Sequence, residues 1–194
     1  MLCKTFWSIV AMVLTCSAAT ASDIRRVVTG LDADNKASTL FDSRLTLKPG
    51  PYGIAAVNLW ITDSYPPTLT FKDDPATKPI GISPPDNGTK LRVVEFPPLD
   101  PATEANMEPN FLMKSVGDHA PARGLPVKHP LMHRTRSLDY AVVLSGEIDM
   151  MLDASLVHLK PGDVVVQQAT NHGWINHGMQ PCRILFVLMD SKEP

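Results

Sequence analysis

The sequence is poor in the residues that staple a fold or grip a charged polymer. It has only 3 cysteines in 194 residues. Cys3 and Cys16 fall in the first 21 residues, so Cys182 then stands alone and cannot form an internal disulfide; a stapled scaffold is excluded. There is no basic cluster with interleaved aromatics, and the formal net charge is −2, so nothing calls for nucleic acid or an anionic membrane surface as partner. No apolar run approaches the roughly 18 residues that cross a bilayer. There is no glycine-rich phosphate loop, no Gly-x-Ser-x-Gly elbow and no cysteine cluster, which removes the usual signals for a nucleotide cofactor, a serine hydrolase or a zinc finger. Heptads and internal repeats are absent as well.

Proline is plentiful, at 18 residues, with 11 glycines. Both punctuate a chain with turns and disfavour a helical bundle. The length suits one domain with a real core. Residues 1–21 form a segment of their own: Lys4 as a positive start, the short apolar run FWSIVAMVL, and the small residues Ala19-Thr20-Ala21 where a signal peptidase would cut. This predicts a signal peptide, and with it a secreted or endomembrane-lumen protein with no membrane attachment after cleavage. The triplet at Asn87–Thr89 fits a glycosylation acceptor in a eukaryotic secretory route.

Residues 22–120 hold short β-like runs (DIRRVVTG, ASTLFDS, YGIAAVNLWIT, KLRVVEF) separated by Pro-, Asp- and Gly-rich loops, at 65–87 and again after Pro97. Residues 121–194 are strand after strand. Ile148, Met150 and Leu152 alternate with Glu147, Asp149 and Met151, as in a half-buried strand. Lys160-Pro161-Gly162-Asp163 has the chemistry of a type II turn. Short strands at this spacing, with no helix long enough to cross between parallel strands, predict an all-β antiparallel sandwich or small barrel.

The chemistry sits in that last third. Strand alternation puts His133, Thr135, Ser137 and Asp139 on one face, and His172, Trp174 and Asn176 on one face of a later strand. A straight strand would hold His133 and Asp139 roughly 20 Å apart, so a shared site needs the chain to turn between them. Two imidazoles and a carboxylate suit Fe, Zn, Mn, Ni or Cu. Equally, the histidines can be hydrogen-bonded pocket residues, with Asp139 bonded to Ser137 or paired with a basic residue of another strand. Tyr140, Arg134 and Arg136 fall on the opposite face. His129 and His119 read as loop residues, and His158 as an outer-face residue.

The segment from His133 to Asn176 resembles the two motifs of the cupin superfamily. In the first, His133 holds the first His position, Thr135 the second, Asp139 the Glu position, and Gly146 closes it. In the second, Gly162 opens, Gln167 and Ala169 take the Pro and Gly places, and His172 and Asn176 close. The phrases MHRTRSLDY, VLSGEI and TNHGW look like a subgroup of small cupins found in bacteria and in fungal natural-product clusters. The resemblance implies a single cupin barrel (double-stranded β-helix or jelly roll) with an N-terminal strand extension, one small-molecule substrate and a homodimer. Its full metal set is three histidines and a Glu. Here Thr135 and Asp139 depart from it, leaving His133, Asp139 and His172 as the ligands if one divalent metal is bound. The expectation is a biosynthetic enzyme acting on a small oxygenated molecule by proton transfer through His133, His172 and Asp139, with dehydration, isomerisation or decarboxylation as outcome. Thr135, Trp174 and Asn176 would contact substrate. The alternatives are a metal-dependent oxidoreductase using His133, Asp139 and His172, and a non-catalytic ligand-binding module.

Overall fold

The structure is a computed structural model that describes residues 23–192. The expected signal peptide, residues 1–21, lies outside the described residues. Strands come in the order β1 (Asp23–Leu31), β2 (Ala37–Thr46), β3 (Lys48–Pro49), β4 (Ala55–Thr62), β5 (Thr89–Phe96), β6 (Ser137–Ser145), β7 (Ile148–Met151), β8 (Leu156–Leu159), β9 (Val164–Gln168), β10 (Gly173–Ile175) and β11 (Cys182–Asp190). Every pairing is antiparallel. They form a six-stranded sheet in the order β3-β4-β5-β11-β6-β9, a three-stranded sheet β10-β7-β8, and the hairpin β1-β2.

Two apolar clusters explain this arrangement. The first lies between the two larger sheets and joins Val94, Phe96, Val143, Ile184, Phe186 and Leu188 of one to Ile148, Met150, Leu159 and Trp174 of the other. Burying each such side chain stabilises the fold by about 1.5–3 kcal/mol. The second lies on the outside of the six-stranded sheet, where Val93, Leu59 and Leu47 pack with Ile24, Leu45 and Leu91. The N-terminal hairpin therefore covers the back of the barrel. A bulge between Asn58 and Trp60 interrupts the β4–β5 register. It leaves the Leu59 carbonyl to accept from the buried Arg26 guanidinium at 3.0 Å, while Arg26 also pairs with Asp74 at 2.6 Å.

Turn chemistry follows the sequence. The Asp163 N–H donates to the Lys160 carbonyl at 3.0 Å, with Gly162 at φ 93°. Gly146, at φ 70°, lies against the Pro181 backbone, where a Cβ would clash. Beyond Pro97 the sequence predicts loop, but two short helices form, α1 (Pro101–Ala105) and α2 (Phe111–Val116). The signal for α1 is Asp100 followed by proline. The Asp100 carboxylate accepts the Ala102 and Thr103 N–H groups at 3.0 and 2.9 Å, and Pro101 has no N–H to leave unpaired.

Candidate active site

A cavity of about 110 Å³ opens inside the barrel, lined by His133, Asp139, His172, Trp174 and Arg92, with Phe96, Phe186 and Leu188 among its apolar walls. The chain does turn as a shared site requires. His133 pairs with His172 in an isolated antiparallel bridge ahead of β6, and a bend at Arg136 separates that bridge from the β6 register that carries Asp139.

The two imidazoles are held as a pair. Their ring centroids are 4.4 Å apart at 48°. His172 Nδ1 lies 3.0 Å from the Thr170 carbonyl and His133 Nδ1 lies 3.4 Å from the Leu131 carbonyl. A carbonyl only accepts, so both rings take the Nδ1–H tautomer and keep the Nε2 lone pair free. Burial lowers the pKa of each ring. His133 is pushed well below the usual value, because His172, Arg92 and Lys90 also oppose a charge on it. Both rings are therefore neutral at pH 7. Trp174 stands edge-on to His172 with centroids 6.0 Å apart, and it packs against Phe96 and Phe186.

The other polar groups come from two neighbouring strands. Asp139 sits opposite Leu188, and Leu188 opposite Lys90, so the three side chains share the inward face of adjacent strands. Burial raises the Asp139 carboxyl to about 6, against the Ser137 hydroxyl and the Lys90 charge, which lower it. Its Oδ1 has no hydrogen-bond partner among the described residues. Lys90 is fully buried. Its ammonium donates to the carbonyls of Gly81 (2.9 Å), Ile82 and Ser83 (3.0 Å). Burial pushes its pKa down to about 6, while three carbonyl acceptors, one per N–H, favour the charged form. Arg92, two residues on and facing the same way, is lowered by burial only to about 10 and stays charged.

Lys90 and Arg92 do not show as site residues in the sequence. KLRVVEF alternates polar with apolar, and the ordinary reading turns the apolar Leu91 and Val93 inward. Here the N-terminal hairpin takes Leu91 and Val93 on the outer face, and the barrel receives the cations. Two of the residues expected to contact substrate have partners within the protein. Asn176 is committed to backbone: its amide donates to the Phe96 and Gln180 carbonyls at 2.9 and 2.8 Å, and its Oδ1 accepts from Gly178 N–H at 2.9 Å. Thr135 is buried in a 2.7 Å hydroxyl pair with Ser137 and does not line the cavity. Ala169, at the Gly place of the second motif, has φ 52°, the left-handed conformation glycine tolerates best.

The donor set does not fit a metal. Among the described residues, no group of three or more His, Cys, Asp or Glu is arranged to hold one. The conditional set His133, Asp139 and His172 reduces to two adjacent imidazoles, with the Arg92 cation in the same lining. The outlying histidines keep their distance from the cavity. His129 bonds Glu104 at 3.1 Å, His119 is exposed beside Asp86, and His158 is exposed between Asp149 and Glu147. Tyr140 faces outward.

Residues 125–188 match the family described as Cupin domain (Cupin_2). Over 69 residues the chain is 49% identical to Phomopsin biosynthesis cluster protein C' of Diaporthe leptostromiformis, covering 34% of this chain and 36% of that protein. Over 97 residues it is 44% identical to the cupin-domain-containing oxidoreductase fogC of Aspergillus ruber, covering 45% of each. Oryzines biosynthesis cluster protein J of Aspergillus oryzae is 39% identical over 69 residues, 34% of this chain and 38% of that protein. The matched segment thus spans less than half the length of these relatives. Among solved structures, a putative ethanolamine utilization protein q from Salmonella typhimurium aligns with TM-score 0.43 and 8% identity over 88% of this chain and 99% of that one. The Cnp3 cupin domain of Schizosaccharomyces pombe aligns with TM-score 0.43 and 12% identity over 87% and 84%. The segment that matches the Cupin domain family, residues 125–188, is the one that supplies His133, Asp139, His172 and Trp174 to the cavity.

Proposed function

We propose that the barrel cavity is the active site of a biosynthetic enzyme that moves a proton on a small oxygenated molecule. The observation that carries this is the pair of buried, neutral imidazoles, each fixed by its Nδ1–H on a backbone carbonyl, beside a carboxyl that titrates near 6. A neutral imidazole with a free Nε2 is a general base. Of the two, His172 takes the proton, because protonation of His133 is opposed by His172 itself, Arg92 and Lys90. The C–H bond next to a carbonyl breaks, its proton passes to His172 Nε2, and the electron pair moves onto the carbonyl oxygen as an enolate beside the Arg92 cation. The proton then returns from His172. Return to the far carbon of a conjugated enolate gives isomerisation; where a β-hydroxyl departs instead, the enolate pair forms the C=C bond as the C–O bond breaks, and His172 gives its proton to the departing hydroxyl, releasing water. The relatives named for phomopsin and oryzine biosynthesis clusters support a place in fungal secondary metabolism.

The size of the cavity limits what reacts inside it. A cavity of ~150 Å³ takes a benzene ring, so 110 Å³ holds about four heavy atoms, the reacting end of a molecule that reaches out through the mouth. Acetoin and pyruvate are suitable probes. Exchange of their carbon-bound protons in D₂O, followed by NMR, is expected to run faster with the protein than in buffer and to fall about 10²-fold or more in His172→Gln. Exchange of both probes at the buffer rate, or an undiminished rate in His172→Gln, would overturn the reading.

A second reading, an oxidoreductase, rests on the names of relatives such as the cupin-domain-containing oxidoreductase fogC. It needs a redox group, and the two-imidazole donor set does not supply a site for a metal one.

A further inference from the structure

The least explained group in the barrel is Arg92. Its side chain lines the cavity, its Nε has no hydrogen-bond partner, and no ion pair involves it among the described residues. Arg92 is half-buried as a residue, but its Nε is closed off from water, and leaving a guanidinium nitrogen dry and unpaired is costly. The neighbours do not match it. Asp139, the carboxyl in the lining, makes no ion pair with Arg92, and the Lys90 ammonium is turned away onto the carbonyls of residues 81–83. His133 and His172 are neutral. A fixed cation therefore looks into a small, mostly apolar chamber, with its planar set of N–H donors available.

We propose that Arg92 is the anchor for a carboxylate on the substrate, so that the enzyme acts on a small carboxylic acid, or on the carboxylate end of a longer one. This deepens the proton-transfer reading and rests on the same cavity. The carboxylate is the chemistry a guanidinium recognises best, through two parallel N–H···O bonds. The Arg92 charge is close enough to His133 to oppose that ring's protonation. A substrate held by its carboxylate at Arg92 therefore places its neighbouring carbons beside the imidazole pair. Phe96, Trp174, Phe186 and Leu188 take the rest of the molecule.

Isothermal titration with isobutyrate and with its neutral isostere isobutyramide tests this without knowledge of the natural substrate. The expected result is a preference for the carboxylate of at least about tenfold, lost in Arg92→Gln and partly kept in Arg92→Lys, which retains charge but not the planar fork. Circular dichroism confirms that each variant is folded. Equal binding of the two isosteres by the unaltered protein, or no binding of either up to about 10 mM, overturns the assignment, and that result needs no variant to fold. The outcome is separable from that of the proton-exchange experiment. Carboxylate preference with no exchange of acetoin or pyruvate keeps the anchor and sinks the proton-transfer reading; exchange of acetoin without any carboxylate preference does the reverse.

Discussion

Replacing Asp139 by asparagine tests the electrostatics of the cavity without reference to any substrate. The carboxyl is buried, with only 5% of its residue surface exposed, and its pKa rises from 3.8 to about 6. At ~1.4 kcal/mol for each tenfold in acid strength, that rise corresponds to roughly 3 kcal/mol. The sign is fixed by linkage. Between pH 3.8 and 6 the folded protein holds a proton that the unfolded chain releases, so this group's contribution is most favourable below pH 3.8. It declines as pH rises and is fully lost above 6. Asparagine has nearly the same shape and never ionises. The Asp139→Asn protein is therefore expected to match the unaltered protein within about 1 kcal/mol at pH 4.5 and to exceed its stability by up to about 3 kcal/mol at pH 8, a rise in Tm on the order of 6–12 °C. Urea unfolding at the two pH values measures both differences. A variant less stable than its parent at pH 8, or a difference that does not change with pH, would refute the claim that burial dominates at Asp139 over the pull of Lys90 and Ser137.

Other perturbations probe neighbouring parts of the account. Lys90→Met leaves the carbonyls of residues 81–83 without their donor and should destabilise the fold by about 1–3 kcal/mol, measured by urea unfolding; a neutral result would mean the loop at 81–83 is not held from inside the barrel. Chelation by EDTA should leave exchange of the probe protons unchanged, since the donor set does not fit a metal; loss of exchange, restored by one added metal, would contradict that. At the surface, Asp149 and Glu147 raise the pKa of His158, so NMR titration of Asp149→Asn should show that imidazole titrating at lower pH than in the parent.

Much of this was legible in the residues, for identifiable reasons. The apolar runs of β6, β9 and β11 announce strands, and alternation from His133 through Asp139 predicts an inward row with Tyr140 outside it, which the burial of these strands reproduces. His133, Asp139, His172 and Trp174 are found around one cavity because a bend at Arg136 lets two segments of the same row face it from different directions. What alternation cannot say is which face of a strand meets which core. On β5 both faces are buried, and only the packing of the N-terminal hairpin on Leu91 and Val93 decides that Lys90 and Arg92 point into the barrel. Nor does phase reveal competing partners. Asn176 lies in register with His172, yet the nearby Phe96 and Gln180 carbonyls claim its amide, and Thr135 is taken up by Ser137. α1 carried a readable signal in Asp100-Pro101, masked by the surrounding prolines.

The central claim is that two adjacent buried imidazoles stay neutral with Nε2 free. Nitrogen-15 NMR of histidine-labelled protein across pH 5 to 8 tests it directly. The account predicts that the His133 and His172 signals keep the Nδ1–H tautomer at neutral pH, and that neither ring has reached half-protonation when the pH falls to 6.5, the ordinary midpoint of a free histidine, with His133 the last to charge. Either ring half-protonated at or above 6.5, or carrying its proton on Nε2, would contradict it.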